Sequence, residues 1–209
     1  MKIMLASGSP RRYDLLTQMG WQVEVHSLPF SEIETAAQAA AQTDPVFSEE
    51  DIALLSPYQN ADRVCAYNAL GKGKAAALAT GTKRPVVSAD TIVVLGDVIL
   101  GKPADAAEAR RMLRLLSGKA HQVKTAVSVR YMDKTLLQVV TTEVHFRTLA
   151  ESEIEWYVNT GEPMDKAGAY GIQGKGAVLV EKIEGSYDNV VGLPLTTVYE
   201  MFRGLNVPV

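Results

Sequence analysis

Residues 5–12, Leu-Ala-Ser-Gly-Ser-Pro-Arg-Arg, combine hydroxyl groups and guanidinium groups, which are groups of the types that can bind an anion. Ser9 is a suitable N-cap and Pro10 suits a first helical turn, so the pattern predicts a helix that begins here. Arg11 and Arg12 then lie where the helix dipole disfavours a cation by about 0.3–1 kcal/mol each. A bound anion would reverse this effect, because amides, hydroxyls and guanidinium groups would converge on it. The octet favours a phosphate site, and two arginines that point into solvent are the alternative.

A second candidate is Asp90, which lies in the β-rich run Ser88-Ala89-Asp90-Thr91. Carboxylates are rare in buried strands unless they are paired or bind a metal. Lys102 follows shortly afterwards in Leu-Gly-Lys-Pro and could return to Asp90. A structural salt bridge explains this pair as well as a catalytic role does. Lys74 precedes the strand on a helix and, taken alone, is most simply a solvated lysine.

Glu32 and Glu34 follow the second predicted strand, at the end that a right-handed crossover shares with the Ser7–Arg12 loop. Ligands of α/β sheets bind beyond the carboxyl ends of the strands. Carboxylates from separate strands beside a phosphate are what a hard divalent cation needs. The two glutamates therefore predict a metal site, and solvated loop acids are the alternative for either one.

The segment 161–176 is dense in glycine, with polar side chains between the glycines. Glycine permits a close approach of backbone to a ligand. Gln173 in this segment has both a donor and an acceptor, which suits the edge of a nucleotide base. A tight structural turn is the alternative. Among the three histidines, His121 is the best site candidate, although the pattern favours packing for it.

Composition limits the class of protein. The 209 residues are 47% hydrophobic and 22% charged, as in an ordinary globular protein. The net charge of −3 argues against a binder of nucleic acid polymers. A single cysteine, Cys65, excludes an internal disulfide framework and suits a reducing compartment. No signal peptide or apolar run of about 20 residues is present, so we expect a cytoplasmic protein without a membrane partner.

The elements that must position these residues alternate between helices and strands. Residues 35–62 differ in being rich in Ala and Gln, and we interpret them as an insertion or flexible lobe with a short helix near 48–55. Elsewhere the order predicts an α/β fold with a mixed sheet, because a hairpin interrupts the βαβ alternation. The predicted helices are 10–19, 62–79, one after Pro103 that Asp105 caps and that stops at Gly118, 151–159 and one after Pro194. The predicted strands are 3–5, 21–25, 85–95, a short one after the turn at Gly96-Asp97, 120–131, 135–147 and 177–180.

Several common templates are absent from the sequence. It contains no G-x-x-x-x-G-K-[ST] phosphate loop, no G-x-G-x-x-G after a strand and no G-x-S-x-G elbow. Six other motifs, taken in order, resemble those of the Maf family of nucleoside triphosphate pyrophosphatases. They are LASGSPRR, SADTIV, LGKP, LSGKAH, TGEPMDKAGAYGIQG and YDNVVGLPL.

The resemblance covers nearly the whole chain except roughly residues 35–62. It implies one Maf-like domain over 1–209, with an elongated Maf/inosine-triphosphatase-like α/β fold, a mixed sheet flanked by helices and a cleft between two lobes. It also implies hydrolysis of a nucleoside triphosphate to the monophosphate and pyrophosphate with a divalent metal, Mg²⁺ or Mn²⁺. A cytoplasmic homodimer with a housecleaning role against non-standard nucleotides is a further implication.

The resemblance also implies roles for residues. Asp90 matches the proton acceptor of the family, and Lys102 matches the lysine of its Gly-Lys-Pro motif. Lys74 matches the family lysine if Leu-Gly-Lys-Gly-Lys-Ala aligns with the usual Leu-Ala-x-x-Lys-Ala. Glu32 aligns with the Glu of an Asp-Glu pair and is expected to bind metal with Asp90, but Ser31 stands where Asp is usual.

The remaining matches concern the substrate. Ser7, Arg11 and Arg12 match the phosphate-binding loop, while Arg12, Thr91 and Gln173 match positions associated with pyrimidine selection. The resemblance is therefore to the dTTP/UTP branch, with water attacking the α-phosphorus and Asp90 as general base. Two other functions stay open: a nucleotide-binding regulator with little or no turnover, and a phosphatase that releases orthophosphate.

Overall fold

The computed structural model describes residues 1–41 and 47–208, and within them the strands form one mixed sheet. The strand order is β2-β1-β3-β5-β6-β7, and β4 pairs with β3. β1 is parallel to β2 and β3, whereas β3–β4 and β6–β7 are antiparallel. The α/β class and the mixed sheet are thus confirmed. The strands are β1 Lys2–Leu5, β2 Gln22–Val25, β3 Val86–Leu95, β4 Val98–Leu100, β5 Ala120–Tyr131, β6 Lys134–Phe146 and β7 Val180–Glu184.

Helices connect these strands, and most begin or end where turn chemistry predicts. The first helix begins at Pro10, the long one ends at Gly81 in left-handed geometry (φ 58°), and the predicted short helix after residue 48 is present. The helices described are α1 Pro10–Thr17, α2 Ala36–Ala41, α3 Glu49–Leu55, α4 Asn60–Thr80, α5 Ala106–Leu116, α6 Glu151–Val158, α7 Tyr187–Val191 and α8 Leu195–Gly204. Part of the predicted insertion, residues 42–46, lies outside the described residues.

The glycine-dense segment differs from its prediction. It contains three 3-10 helices, Glu162–Asp165, Ala167–Ala169 and Gly174–Leu179, instead of one loop followed by a strand. The predicted strand 177–180 is wrong except at its last residue, because the last of these 3-10 helices contains residues 177–179 and pairing with β6 starts only at Val180. Gly168 is required where it stands: its φ is +68° and a Cβ would lie 2.9 Å from a methyl carbon of Val93.

Contacts divide the chain into two compact units. Unit 1 comprises Met1–Asp90, Thr125–Val140 and the chain from Gly192 onward, and unit 2 comprises Thr91–Lys124 and Thr141–Val191. Strands β3, β5 and β6 contribute residues to both units. Among the described residues, no helix is both long and apolar enough to cross a bilayer.

The core of unit 1 brings α4 close to strand β3. A Cβ at Gly73 would lie 2.5 Å from Ser88 Oγ, and a Cβ at Gly71 would lie 2.0 Å from the ring of Phe30. The Ser88 hydroxyl donates to Ala69 O at 2.7 Å, which ties the strand to the helix. These contacts place the polar residues of α4 beside the middle of β3, where Asp90 lies.

The core of unit 2 contains His121, for which the sequence pattern favoured a packing role over a site role. Its side chain lies edge-on to the rings of Phe146 and Tyr170, and its Nε2 is 2.7 Å from the Tyr170 hydroxyl oxygen. Burial lowers the pKa of His121 to about 4, so the ring is neutral at pH 7. This histidine therefore supports the core of unit 2.

Candidate active site

Arg12 connects the basic turn of the N-terminus to two other parts of unit 1. Its Nη1 donates to Ser7 Oγ at 3.0 Å and to Ala89 O at 2.9 Å, and its Nε donates to Gly192 O at 2.8 Å. Burial lowers the pKa of the Arg12 guanidinium, while the nearby Asp90 carboxylate raises it. An arginine stays charged despite such a shift. The first turn of α1 is thus held beside the strand residue that precedes Asp90.

Asp90 is buried on β3 and its two carboxylate oxygens have different partners. Oδ1 accepts from Lys72 Nζ at 2.8 Å, and Oδ2 accepts from Asn68 Nδ2 at 3.1 Å. Lys72 Nζ also lies 3.1 Å from Glu32 Oε1. One ammonium group therefore lies between the two carboxylates that the sequence proposed as metal ligands.

The segment that carries Glu32 is held on α4 at two points. On one side of Glu32, the ring of Phe30 packs on Gly71, where any side chain would collide with it. On the other side, the Ile33 amide donates to Asn68 Oδ1 at 2.9 Å, and Asn68 Nδ2 donates to Ile33 O at 2.9 Å. The Glu32 side chain is exposed between these two contacts.

The two carboxylates meet at the Lys72 ammonium group, because Glu32 Oε1 lies 3.1 Å and Asp90 Oδ1 lies 2.8 Å from Lys72 Nζ. A divalent cation held by both oxygens would take the position that this ammonium group occupies here. Mg²⁺ commonly takes only one or two protein carboxylates, and water and substrate phosphates complete its shell. Two such oxygens beside the Arg12 turn therefore suit a metal–phosphate ligand. Ser31 is exposed next to Glu32 and provides no carboxylate.

Lys74 pairs with a different carboxylate from Lys72, and its predicted contact with the substrate stays a prediction. Its Nζ pairs with Asp51 of α3, and Arg130 Nη2 lies 3.1 Å from the other oxygen of the same carboxylate. Residues two apart on a helix lie on nearly opposite faces, so Lys72 and Lys74 have different partners. The sequence reasoning missed Lys72 and Asn68, although their i, i+4 spacing places both on one face of the helix.

Asp51 is a buried ionic centre of unit 1, with only 2% of its surface exposed. It forms a capping box with Ser48, whose amide and hydroxyl donate to Oδ2 at 3.0 and 2.9 Å. Burial raises the pKa of Asp51, but hydrogen bonds from Lys74 and Ser48 outweigh that effect and leave the pKa below its ordinary value. The carboxylate therefore stabilises the fold at neutral pH, and this contribution is lost in acid as Asp51 takes up a proton.

Substitution Asp51→Asn should lower the free energy of unfolding by about 3–5 kcal/mol, because it leaves Lys74 and Arg130 largely buried without a counter-charge. Urea unfolding followed by far-UV circular dichroism at pH 7 measures the change. Glu50→Gln is the matched control, since Glu50 is exposed in the same first turn of α3, and it should change the unfolding free energy by no more than about 0.5 kcal/mol. Equal effects of the two substitutions would contradict the role of Asp51.

The other predicted substrate residues lie in unit 2. Thr91 follows Asp90 on β3 and is half-buried, whereas Lys102 and Gln173 are exposed after β4 and before the last 3-10 helix. The Gly168 amide donates to Gly101 O at 3.0 Å, so the segment that carries Gln173 is fastened beside the one that carries Lys102. Arg11 is half-buried on the same turn as Arg12 in unit 1. Contacts of these side chains with a nucleotide stay predictions.

A basic turn beside paired carboxylates in a mixed α/β fold is typical of proteins that act on phosphorylated metabolites. The sequence model of the Maf family, described as Maf-like protein, matches residues 2–205. The chain belongs to this family.

Relatives with curated names are similar along nearly their whole length. A protein of Salmonella typhimurium named dTTP/UTP pyrophosphatase is 47% identical over 204 residues, which cover 98% of this chain and 93% of that protein. Proteins of the same name from Vibrio cholerae and Escherichia coli O157:H7 are 48% identical over 194 residues and 43% identical over 204 residues. These alignments cover 93% and 98% of this chain and 92% and 93% of the two relatives.

Proposed function

We propose that this protein is a nucleoside triphosphate pyrophosphatase that hydrolyses dTTP and UTP to the monophosphate and pyrophosphate with a divalent metal. The observation that carries the proposal is the grouping of Asp90, Glu32 and Lys72 beside the Arg12 turn. The names of the relatives, at identities of 43–48%, support the choice of reaction and substrate.

The residues of unit 1 account for the chemical step. Asp90 accepts a proton from a water molecule, whose oxygen forms a bond to the α-phosphorus as the bond to the bridging oxygen breaks and pyrophosphate leaves. Ser7, Arg11 and Arg12 bind phosphate oxygens, and Lys72 offsets the charge that develops on them. Lys72 takes the role first assigned to Lys74, because Lys72 is the lysine that contacts Asp90.

Glu32 and Asp90 would hold Mg²⁺ or Mn²⁺. When bound, such an ion polarises phosphate oxygens and lowers the pKa of water. In unit 2, we assign Lys102 to the phosphates and Thr91 and Gln173 to recognition of the pyrimidine base, where the Gln173 amide can both donate and accept.

Hydrolysis of dTTP, UTP, CTP, GTP and ITP with Mg²⁺ and with Mn²⁺ tests the proposal. Pyrophosphate and orthophosphate are quantified separately for each nucleotide, and we expect pyrophosphate alone, with dTTP or UTP as the best substrate. A purine nucleotide as the best substrate would reject the pyrimidine assignment. Release of orthophosphate would support the phosphatase. Nucleotide binding measured by calorimetry without turnover would support the regulator, which is suggested by Ser31 at a position where Asp is usual in the family.

The homodimer, the single Maf-like domain and the cytoplasmic location stay predictions drawn from the sequence and its family resemblance. Sedimentation equilibrium of the purified chain would measure the first of these.

A further inference from the structure

We propose that Asn68 is a positioning residue that couples Glu32 to Asp90 and thereby sets the affinity of the site for its divalent metal. The inference rests on the proposed function, since it concerns the same two carboxylates. Asn68 touches neither substrate nor metal in this proposal, and it acts only through its neighbours.

The hydrogen bonds of Asn68 use its whole amide group. Nδ2 donates to Asp90 Oδ2 at 3.1 Å and to Ile33 O at 2.9 Å, while Oδ1 accepts from the Ile33 amide at 2.9 Å. The residue is only 2% exposed. These partners fix the orientation of the amide, because a flipped group would set an oxygen against the Asp90 carboxylate and an NH₂ against the Ile33 amide. Asn68 therefore holds Asp90 and the backbone beside Glu32 in one rigid arrangement.

The Glu32 segment depends on such a contact. Residues 26–34 form neither helix nor strand, so no ladder of backbone hydrogen bonds fixes the position of Glu32. Phe30 on Gly71 anchors one side of Glu32, and Asn68 anchors the other through both backbone groups of Ile33. Without the Asn68 contacts, the Glu32 carboxylate would sample positions away from Asp90.

Asn68 and Lys72 bind different oxygens of Asp90. Lys72 forms an ion pair with Oδ1, whereas Asn68, which is a neutral donor, forms a hydrogen bond to Oδ2. Groups that hydrogen-bond to ligating carboxylates fix their orientation, and loss of one commonly weakens metal binding or activity by about 10–100-fold. The location of Asn68 between both proposed ligands predicts an effect of this size.

The test uses the full-length chain and Mn²⁺ as the probe. Asn68→Leu keeps the branching of the side chain at Cγ but removes all three hydrogen bonds, and Asn68→Ala leaves room for water if the larger leucine prevents folding. Titration calorimetry measures the dissociation constant of Mn²⁺ from the substrate-free protein, and kinetics give the Mn²⁺ concentration for half-maximal hydrolysis of dTTP. We expect this dissociation constant and this concentration each to rise by about 10-fold or more. The substitutions should change kcat for dTTP more than KM for dTTP.

Thr142→Val is the matched control for a merely structural effect. Thr142 is a fully buried polar residue of unit 2 whose Oγ1 likewise takes part in three hydrogen bonds, with Ser186 O, Ser186 N and Asn189 Nδ2. This variant should lower the thermal unfolding temperature as the Asn68 variants do, but it should keep the Mn²⁺ affinity of the unmodified protein.

Glu32→Gln separates failure of this inference from failure of the proposed function. If Glu32→Gln weakens Mn²⁺ binding and the folded Asn68 variants do not, the role of Asn68 is overturned and the metal site stands. If the unmodified protein shows no Mn²⁺ binding and no Mn²⁺ dependence of hydrolysis, or if Glu32→Gln changes neither, the metal site fails and the inference fails with it.

Discussion

Asp90→Asn should reduce the rate of pyrophosphate release from dTTP by about 10²–10⁴-fold. The amide of asparagine has nearly the shape of the carboxylate but cannot accept a proton from water at neutral pH. Lys72 keeps Glu32 as a partner at 3.1 Å, so the ammonium group is not left without a counter-charge. The Arg12 side chain keeps its hydrogen bonds to Ser7 and to two backbone carbonyl oxygens. The amide can accept from only one of the two donors at this position, Lys72 or Asn68, so some loss of stability accompanies the larger loss in catalysis.

Steady-state release of pyrophosphate at saturating dTTP and Mg²⁺ measures this effect, with thermal unfolding as the check on folding. Asp133→Asn makes the same chemical change at the exposed turn between β5 and β6 and should keep the full rate. An Asp90→Asn enzyme that retains more than about a tenth of the unmodified rate lies outside the range expected for a lost general base. That result would remove Asp90 from its proposed role.

Features that depend on local chemistry could be predicted from the sequence. Pro10 begins a helix because its φ already suits one, and Gly81 ends another because it adopts left-handed geometry. The run that contains Asp90 was recognisable as a strand with a carboxylate in an otherwise apolar context. These predictions need only neighbouring residues, and the structure confirms the elements.

The partners on α4 could not be predicted in the same way, because the helix has no single apolar stripe. Its buried residues include Val64, Leu70 and Ala76, and alanine and glycine occupy most faces. The face that meets β3 is decided by Gly73, which admits Ser88 closely, and this is a tertiary contact. Lys74 was therefore chosen by motif alignment, although Lys72 is the residue on the Asp90 face.

Asp51 illustrates a second limit of the sequence. The run Glu49-Glu50-Asp51 is typical of a solvated first helical turn, where the helix dipole stabilises acidic side chains. Asp51 is instead buried, because Lys74 and Arg130 come from distant parts of the chain and supply its counter-charges. No pattern near residue 51 indicates either partner, so this ion-pair cluster becomes visible only in the folded chain.

The two lysines of α4 should separate catalysis from stability when each is replaced by methionine. Lys72→Met removes the ammonium group beside Asp90 and Glu32 and should lower kcat for dTTP by about 10²–10³-fold, the usual effect of losing one group that stabilises developing charge. Lys74→Met removes a partner of buried Asp51 and should lower the free energy of unfolding by about 3 kcal/mol. Its kcat, measured well below the unfolding temperature, should stay close to that of the unmodified protein.

Methionine keeps the length and helix propensity of lysine, so each variant serves as the matched control for the other. Steady-state kinetics at 20 °C and urea unfolding of both proteins give the comparison. The opposite pattern, in which Lys74→Met loses turnover while Lys72→Met only loses stability, would return the catalytic role to Lys74. It would mean that α4 presents a different face to the nucleotide from the one that meets Asp90. The outcome thus tests both the helix orientation and the assignment of charge stabilisation to Lys72.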